Sequence, residues 1–244
     1  MKRFLLFPLM LFLVYSHAAQ GQDLKIDPQM YDIIYKVSAD RLESDIRTLA
    51  GFGTRHTMSD TTSDTRGIGA ARRWIKEEFE KISEQCGGCL EVHEQRTLVE
   101  ADPESRIDED TWIVNVYAVL KGKTHPNRYV IMSGDIDSRA SDVMNDTIDA
   151  PGANDNASGM AGAIEAARVL SDYEFESSII FAGLSGEEQG LYGGRHMAEM
   201  AKEEGWDIIG VLNNDMIGNI RGVDGVIDNR EFRIFSEPYS SQAT

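Results

Sequence analysis

Three short apolar segments alternate with two segments of helical periodicity in the second half of the chain, and this alternation most constrains the fold. The apolar segments 129–132, 178–184 and 208–212 have the length and composition of buried strands. The segments 159–170 and 191–201 carry apolar residues at helical spacing. This order of elements is typical of a parallel sheet covered by helices. We therefore expect an α/β fold with a mixed, mainly parallel sheet and helices on both faces.

The first half of the chain predicts further helices and two more strands. Segment 26–49 indicates two helical pieces, and apolar residues from Ile68 to Ile82 recur at the spacing of a long amphipathic helix. Segments 90–99 and 112–120 alternate between apolar and polar residues as strands do.

Acidic residues gather where the apolar segments end. They are Asp135 and Asp137, Asp155 in a Gly-rich loop, Glu187 and Glu188, and Asp215. Ligands of parallel sheets bind outside the carboxyl ends of the strands, so we expect these side chains to converge at one edge. Converging carboxylates suit a divalent cation. Taken singly, Asp155 could instead cap the next helix, and the two glutamates could lie in a solvated loop.

Length and charge bound the class of protein. A chain of 244 residues is long enough for one α/β domain with a substantial core. Its formal net charge of -17 argues against nucleic acid and anionic membranes as partners.

The amino-terminal residues predict export. Lys2 and Arg3 precede the apolar stretch 4–14 and then Ser16-His17-Ala18, which is typical of a signal peptide spanning residues 1–18. The stretch is too short for a membrane anchor, so we expect a secreted or periplasmic protein. After export, Cys86 and Cys89 are expected to form a disulfide, with free or metal-bound thiols as the alternatives.

The order of the acidic segments resembles the M28 family of zinc metallopeptidases, the aminopeptidase and glutamate carboxypeptidase group. The matching segments are 133–139, 150–159, 185–194 and 213–218, together with the loop 53–55. The resemblance implies a zinc-peptidase-like domain over residues 23–244 with two zinc ions that share one carboxylate. It implies that Asp155 is the shared ligand and that Glu188 and Asp215 each bind one ion. It also implies that Glu187 is the general base.

Two positions depart from the family pattern. The family usually has His where this chain has Asp135, and Asp137 then orients that His. Asp135 can still bind metal through oxygen, and an oxygen-rich site also admits manganese, magnesium or calcium. The family supplies a final His ligand well downstream of Asp215, whereas no His follows His196 here. His196 itself is expected to be partly buried or exposed, and His56 to be structural or exposed.

The sequence therefore predicts a domain whose C-terminal part is missing and whose activity alone is low. Segment 230–235 predicts a short strand, and 238–244 predicts a loose tail. The leading hypothesis is a secreted metal-dependent exopeptidase acting on a peptide or small amide substrate. A non-catalytic module of the same fold and a single-zinc aminoacyl cyclase are the alternatives. The choice between amino- and carboxypeptidase and the oligomeric state stay open.

Overall fold

The structure, a computed structural model, describes residues 27–236. The predicted signal peptide and the tail 238–244 lie outside these residues. The helices are α1 (Pro28–Lys36), α2 (Ala39–Gly51), α3 (Gly67–Gln85), α4 (Gly159–Leu170) and α5 (Tyr192–Glu203). The strands are β1 (Leu90–Val99), β2 (Thr111–Leu120), β3 (His125–Asp135), β4 (Ser177–Leu184) and β5 (Asp207–Asn213). Within the described part, no helix is long and apolar enough to cross a membrane.

The strands form one mixed sheet in the order β1-β2-β4-β3-β5. Strands β4, β3 and β5 are parallel, whereas β2 pairs antiparallel with β4, and β1 pairs antiparallel with β2. The carboxyl ends of the three parallel strands lie at one edge, as the alternation predicts. The expected α/β class and the mixed sheet are confirmed.

Helices cover both faces of the sheet. On one face, Phe79 of α3 and Ile164 of α4 are fully buried against alternate residues of β2 and β4. On the other face, Met197 of α5 packs against Tyr117 and Ile180. The period-two alternation of β2 divides its apolar side chains between these two layers.

Strand β5 is the exception to this coverage. It pairs with β3 on one side, and its side chains Ile209, Val211 and Leu212 are exposed. Beyond it, segment 230–235 is not a strand, so that prediction is wrong. Among the described residues this segment has no ladder partner, and an apolar pattern alone does not form a strand without one.

The Cys86–Cys89 disulfide forms as expected. Cys86 follows the end of α3, Cys89 precedes β1, and their Cα atoms are 5.6 Å apart. The bond closes the tight Gly-Gly turn between helix and strand.

Close backbone contact fixes where β3 meets α4. A Cβ atom at Gly134 would lie 2.5 Å from the carbonyl carbon of Gly159 and 2.6 Å from the amide nitrogen of Met160. Gly159 in turn faces the carbonyl oxygen of Asn214. Small residues around the acidic loop suggest close approach to a ligand, but here they permit backbone segments to approach one another.

We predict that Gly134→Ala will lower the free energy of unfolding by about 2–3 kcal/mol, because the new methyl group meets backbone that cannot rotate away. Gly210→Ala is the control, since a Cβ there meets no atom within 4 Å. It should change stability by less than about 0.5 kcal/mol. Urea denaturation measures both, and equal effects would contradict the proposed backbone contact.

A buried carboxylate on α2 gives the fold a pH-dependent penalty. Asp45 is 6% exposed, and within residues 27–236 its Oδ2 atom has no hydrogen-bond partner. Burial raises the pKa of Asp45 to about 6; Arg41 opposes this shift, and the charges of Glu78 and Glu165 add to it. Because the folded-state pKa is raised, the folded state loses stability as pH rises from about 4 through 6.

Asp45→Asn removes this titration. The stability of the variant relative to the native chain should therefore increase by about 1 kcal/mol between pH 5 and pH 7.5, allowing for solvent screening. Urea denaturation at the two pH values measures this change. A relative stability that stays constant or falls over this range would show that Asp45 is not a buried titrating group.

Candidate metal and catalytic site

All predicted site residues except Asp155 follow the strands that meet at one edge of the sheet. Asp135 ends β3, and Asp137 lies two residues later. Glu187 and Glu188 follow β4, and Asp215 follows β5. Asp155 lies in the wide turn Ala153–Ser158 before α4, where its backbone is not helical, so it is not the cap of that helix.

The electrostatics show that these side chains influence one another. Burial raises the pKa of Asp135 to about 8, and the charges of Asp137, Glu187 and Asp215 contribute, against a hydrogen bond from Asn156. Burial also raises the pKa of Glu187 to about 7, with Glu188, Asp137, Asp215 and Asp155 adding to the shift. A group of carboxylates that raise one another's pKa favours binding of a cation.

The side chains that flank this group differ in exposure. Glu188 is largely buried, and burial followed by the charge of Asp155 raises its pKa. Burial, with the charge of Asp155, also raises the pKa of Asp215, although this residue lies on the exposed side of the group. Asp155 is exposed as well.

The donor set fits a divalent cation in chemistry but is not drawn together into a ligand shell. Within residues 27–236, no three His, Cys, Asp or Glu side chains form a group able to hold a metal ion. Instead, Arg139 Nε donates to Glu188 Oε2 at 2.6 Å, and Asn156 Nδ2 donates to Asp135 Oδ2 at 2.8 Å. A carboxylate oxygen that is not engaged by Arg139 or Asn156 can serve as an oxygen ligand of the kind that zinc, manganese or magnesium binds. The individual ligand roles stay predictions.

Asp137 is placed differently from the other carboxylates. It is 2% exposed, and its two oxygens accept hydrogen bonds from the backbone N–H groups of Gly186, Glu187 and Glu188 at 2.9–3.2 Å. Thr57 Oγ1 donates a fourth bond at 3.0 Å. Asp137 therefore holds the loop that carries the two glutamates.

Arg55 is buried and donates hydrogen bonds to two of the loops that carry acidic residues. Its guanidinium is 1% exposed and donates to four carbonyl oxygens at 2.7–3.0 Å. These carbonyls belong to Leu49, Ile136, Pro151 and Gly152. Burial lowers the pKa of Arg55 to about 10, while the charges of Asp137 and Asp155 act to raise it. The buried cation thus ties the loop after β3 to the loop before α4.

Asn156 joins three segments of the site through one amide. Its Nδ2 donates to Asp135 Oδ2 and to the carbonyl oxygen of Asn214, both at 2.8 Å. Its Oδ1 accepts from the backbone N–H groups of Gly159 and Met216. Asn156 therefore links the end of β3, the start of α4 and the residues on either side of Asp215.

Sequence reasoning did not single out the roles of Thr57, Asn156, Gln189 and Arg139. The run Thr54–Thr57 is wholly buried although all four residues are polar, and the sequence carries no local signal for this burial. His56 is fully buried and structural, which is one of the two expectations for it. His196 is partly buried on α5, as expected.

Comparisons with known proteins identify a family and several relatives of this chain. Residues 115–235 match peptidase family M28. A probable zinc metalloprotease of Pyrenophora tritici-repentis is 37% identical over 220 residues, covering 89% of this chain and 51% of the relative. One of Pyricularia oryzae is 43% identical over 211 residues, covering 86% and 42%. The chain thus spans about half the length of these relatives.

Solved structures share the fold at low sequence identity. LapB from Legionella pneumophila gives a TM-score of 0.59 at 20% identity, covering 78% of this chain and 46% of that one. A glutaminyl cyclase of Porphyromonas gingivalis gives 0.57 at 20% identity, covering 75% and 60%. These neighbours share the mixed α/β fold of this chain. The chain belongs to peptidase family M28.

We predict that Arg55→Met will lower the free energy of unfolding by about 3–5 kcal/mol, because several buried carbonyl oxygens lose their donor. Arg55→Lys, which keeps the charge but reaches fewer carbonyls, should lie between this variant and the native chain. Arg47→Met is the control, since its ion pair with Glu43 is exposed and contributes little. Chemical denaturation compares the three, and a loss at Arg55 no larger than at Arg47 would contradict the supporting role.

Proposed function

We propose that this chain carries the catalytic core of a metal-dependent exopeptidase and that Glu187 is its general base. The observation that carries the proposal is the position of Glu187 among carboxylates from three loops, with burial and these charges raising its pKa to about 7. A base whose pKa lies near neutral pH can both accept and return a proton. Membership of the M28 family and the relatives named zinc metalloproteases support the same reaction class.

Asp135, Asp155, Glu188 and Asp215 are the proposed metal ligands. Two divalent ions, zinc by analogy with the relatives, would supply positive charge that polarises the scissile carbonyl and acidifies the attacking water. Glu187 takes the proton of that water as it attacks the carbonyl carbon. Glu187 then delivers the proton to the nitrogen of the leaving amine, so the protein ends the cycle in its starting state.

The chain's other residues determine how this base is presented. Asp137 fixes the backbone of residues 186–188, so Glu187 projects from a constrained loop. Arg139 balances the charge of Glu188 beside it. The predicted signal peptide and the Cys86–Cys89 disulfide favour an enzyme that works outside the cytoplasm.

The two neighbouring glutamates should separate in their effects. We predict that Glu187→Gln will lower kcat by about 10²–10⁴-fold while metal content stays unchanged, because an amide cannot accept the proton. Glu188→Gln should instead weaken metal binding. Peptides blocked at either end, together with metal analysis after dialysis, measure both effects. The exposed Glu84→Gln is the control and should change neither.

Metal content per chain separates the proposal from its alternatives. Two ions with hydrolysis of one class of blocked peptide would support the exopeptidase. One ion would favour the cyclase, and none would favour a non-catalytic module. If the native chain hydrolyses peptides and the Glu187→Gln variant hydrolyses them at the same rate, Glu187 is not the base.

A further inference from the structure

The glutamate loop is held by a chain of buried polar side chains that extends behind Asp137. Thr57 Oγ1 contacts both Asp137 Oδ2 and the side-chain amide of Gln189. The other end of that amide lies 3.0 Å from His56 Nε2. Thr57, Gln189 and His56 are all at most 4% exposed. We call Thr57, Gln189 and His56 the buried relay.

The hydrogen-bond directions in the buried relay follow from His56. Its Nδ1 accepts the backbone N–H of Met58 at 3.2 Å, so its proton is on Nε2. Nε2 faces the carbonyl oxygen of Val143 at 2.9 Å and the amide of Gln189. The structure has the amide nitrogen of Gln189 toward His56 Nε2 and its oxygen toward Thr57 Oγ1. Because that nitrogen would place two N–H groups face to face, we assign the amide in the opposite orientation, with its oxygen toward His56.

In this orientation the single Nε2 hydrogen of His56 is shared between the oxygens of Val143 and Gln189. The amide nitrogen of Gln189 donates to Thr57 Oγ1, and the single hydroxyl hydrogen of Thr57 is then free for Asp137 Oδ2. With the amide oxygen toward Thr57 instead, the single hydroxyl hydrogen of Thr57 would have to bond both Asp137 and the oxygen of Gln189. The donors thus run in one direction, from His56 through Gln189 and Thr57 to Asp137.

The end of the buried relay is the carboxylate that holds the proposed general base. Asp137 accepts one hydrogen bond from Thr57 and three from the backbone of residues 186–188. Asp137 must keep both oxygens toward this backbone to fix the loop. The Thr57 hydroxyl sets the rotation of that carboxylate, and Gln189 sets the rotation of the hydroxyl.

We infer that Thr57, Gln189 and His56 are positioning residues, which act through Asp137 to fix the loop that presents Glu187 and Glu188. The inference rests on the proposed function for its catalytic consequence, but its structural consequence is independent of metal. His56 also contacts the carbonyl oxygen of Val143, which lies on the same loop as Arg139. The buried relay therefore connects the glutamate loop to the loop that carries Arg139.

Thr57→Val tests this inference because valine keeps the shape of threonine and removes the hydroxyl. In the metal-free protein, hydrogen exchange of the amides of residues 186–188 should accelerate about fivefold relative to the amides of β4. Zinc affinity, measured by calorimetry, should fall about 10–100-fold. In a peptidase assay, kcat should fall by about the same factor with little change in KM. Gln189→Met should act in the same direction.

Two variants control for a general loss of packing. Thr57→Ser restores the hydroxyl and should return exchange, affinity and kcat to native values. Ser59→Ala removes a buried hydroxyl of the same loop that bonds the carbonyl oxygen of His56 and the N–H of Ile68 rather than Asp137. It should lower thermal stability without selective acceleration at residues 186–188.

The outcomes separate the positioning inference from the proposed function. Native exchange at residues 186–188 in Thr57→Val would overturn the inference, whatever the activity. Faster exchange in Thr57→Val that Thr57→Ser does not reverse would also overturn it. A native chain that binds no divalent ion would overturn the proposed function alone, because the exchange experiment does not depend on metal.

Discussion

The candidate site depends on one buried cation. The guanidinium of Arg55 is removed from water and reaches four carbonyl oxygens in three separate segments of chain. Desolvation of a charge is costly, and only this number of well-directed acceptors offsets it. Since two of these segments carry Asp137 and Asp155, the position of one buried arginine determines how close the acidic loops lie.

Around Arg55 lie several carboxylates whose neighbouring negative charges do not stabilise the fold. The carboxylates of Asp135 and Glu187 are harder to ionise because burial and neighbouring acids raise their pKa. Asp137 is compensated most fully, through three backbone N–H groups and Thr57, whereas Glu188 has one ion pair with Arg139 and Asp135 one hydrogen bond from Asn156. Partly compensated acids beside one fully compensated acid are consistent with a site that trades stability for function.

The sequence places Asp135, Glu187 and Asp215 at one edge because each follows a parallel strand, and such strands end at the same edge, whereas Asp155 lies in the turn before α4. It does not predict the strand order, since the antiparallel position of β2 beside β4 depends on pairs such as Val116 with Gly183, which are 67 positions apart. The buried relay has no local signature either, because Thr57 and Gln189 are 132 positions apart. Segment 230–235 is the opposite case. Its local apolar pattern is typical of a strand, but among the described residues no partner strand pairs with it.

The two sides of the site are supported to different degrees. Asp137 and the glutamate loop rest on buried hydrogen bonds on every side, whereas Asp215 follows β5, whose apolar side chains are exposed. The position of Asp215 therefore depends on its neighbours Asn214 and Met216, which bond Ser133 and Asn156. Because Asn156 also donates to Asp135, any shift of β5 is transmitted to the carboxylate at the end of β3. The proposed general base Glu187 thus lies on the side of the site with more buried hydrogen bonds, and the proposed ligand Asp215 lies on the more exposed side.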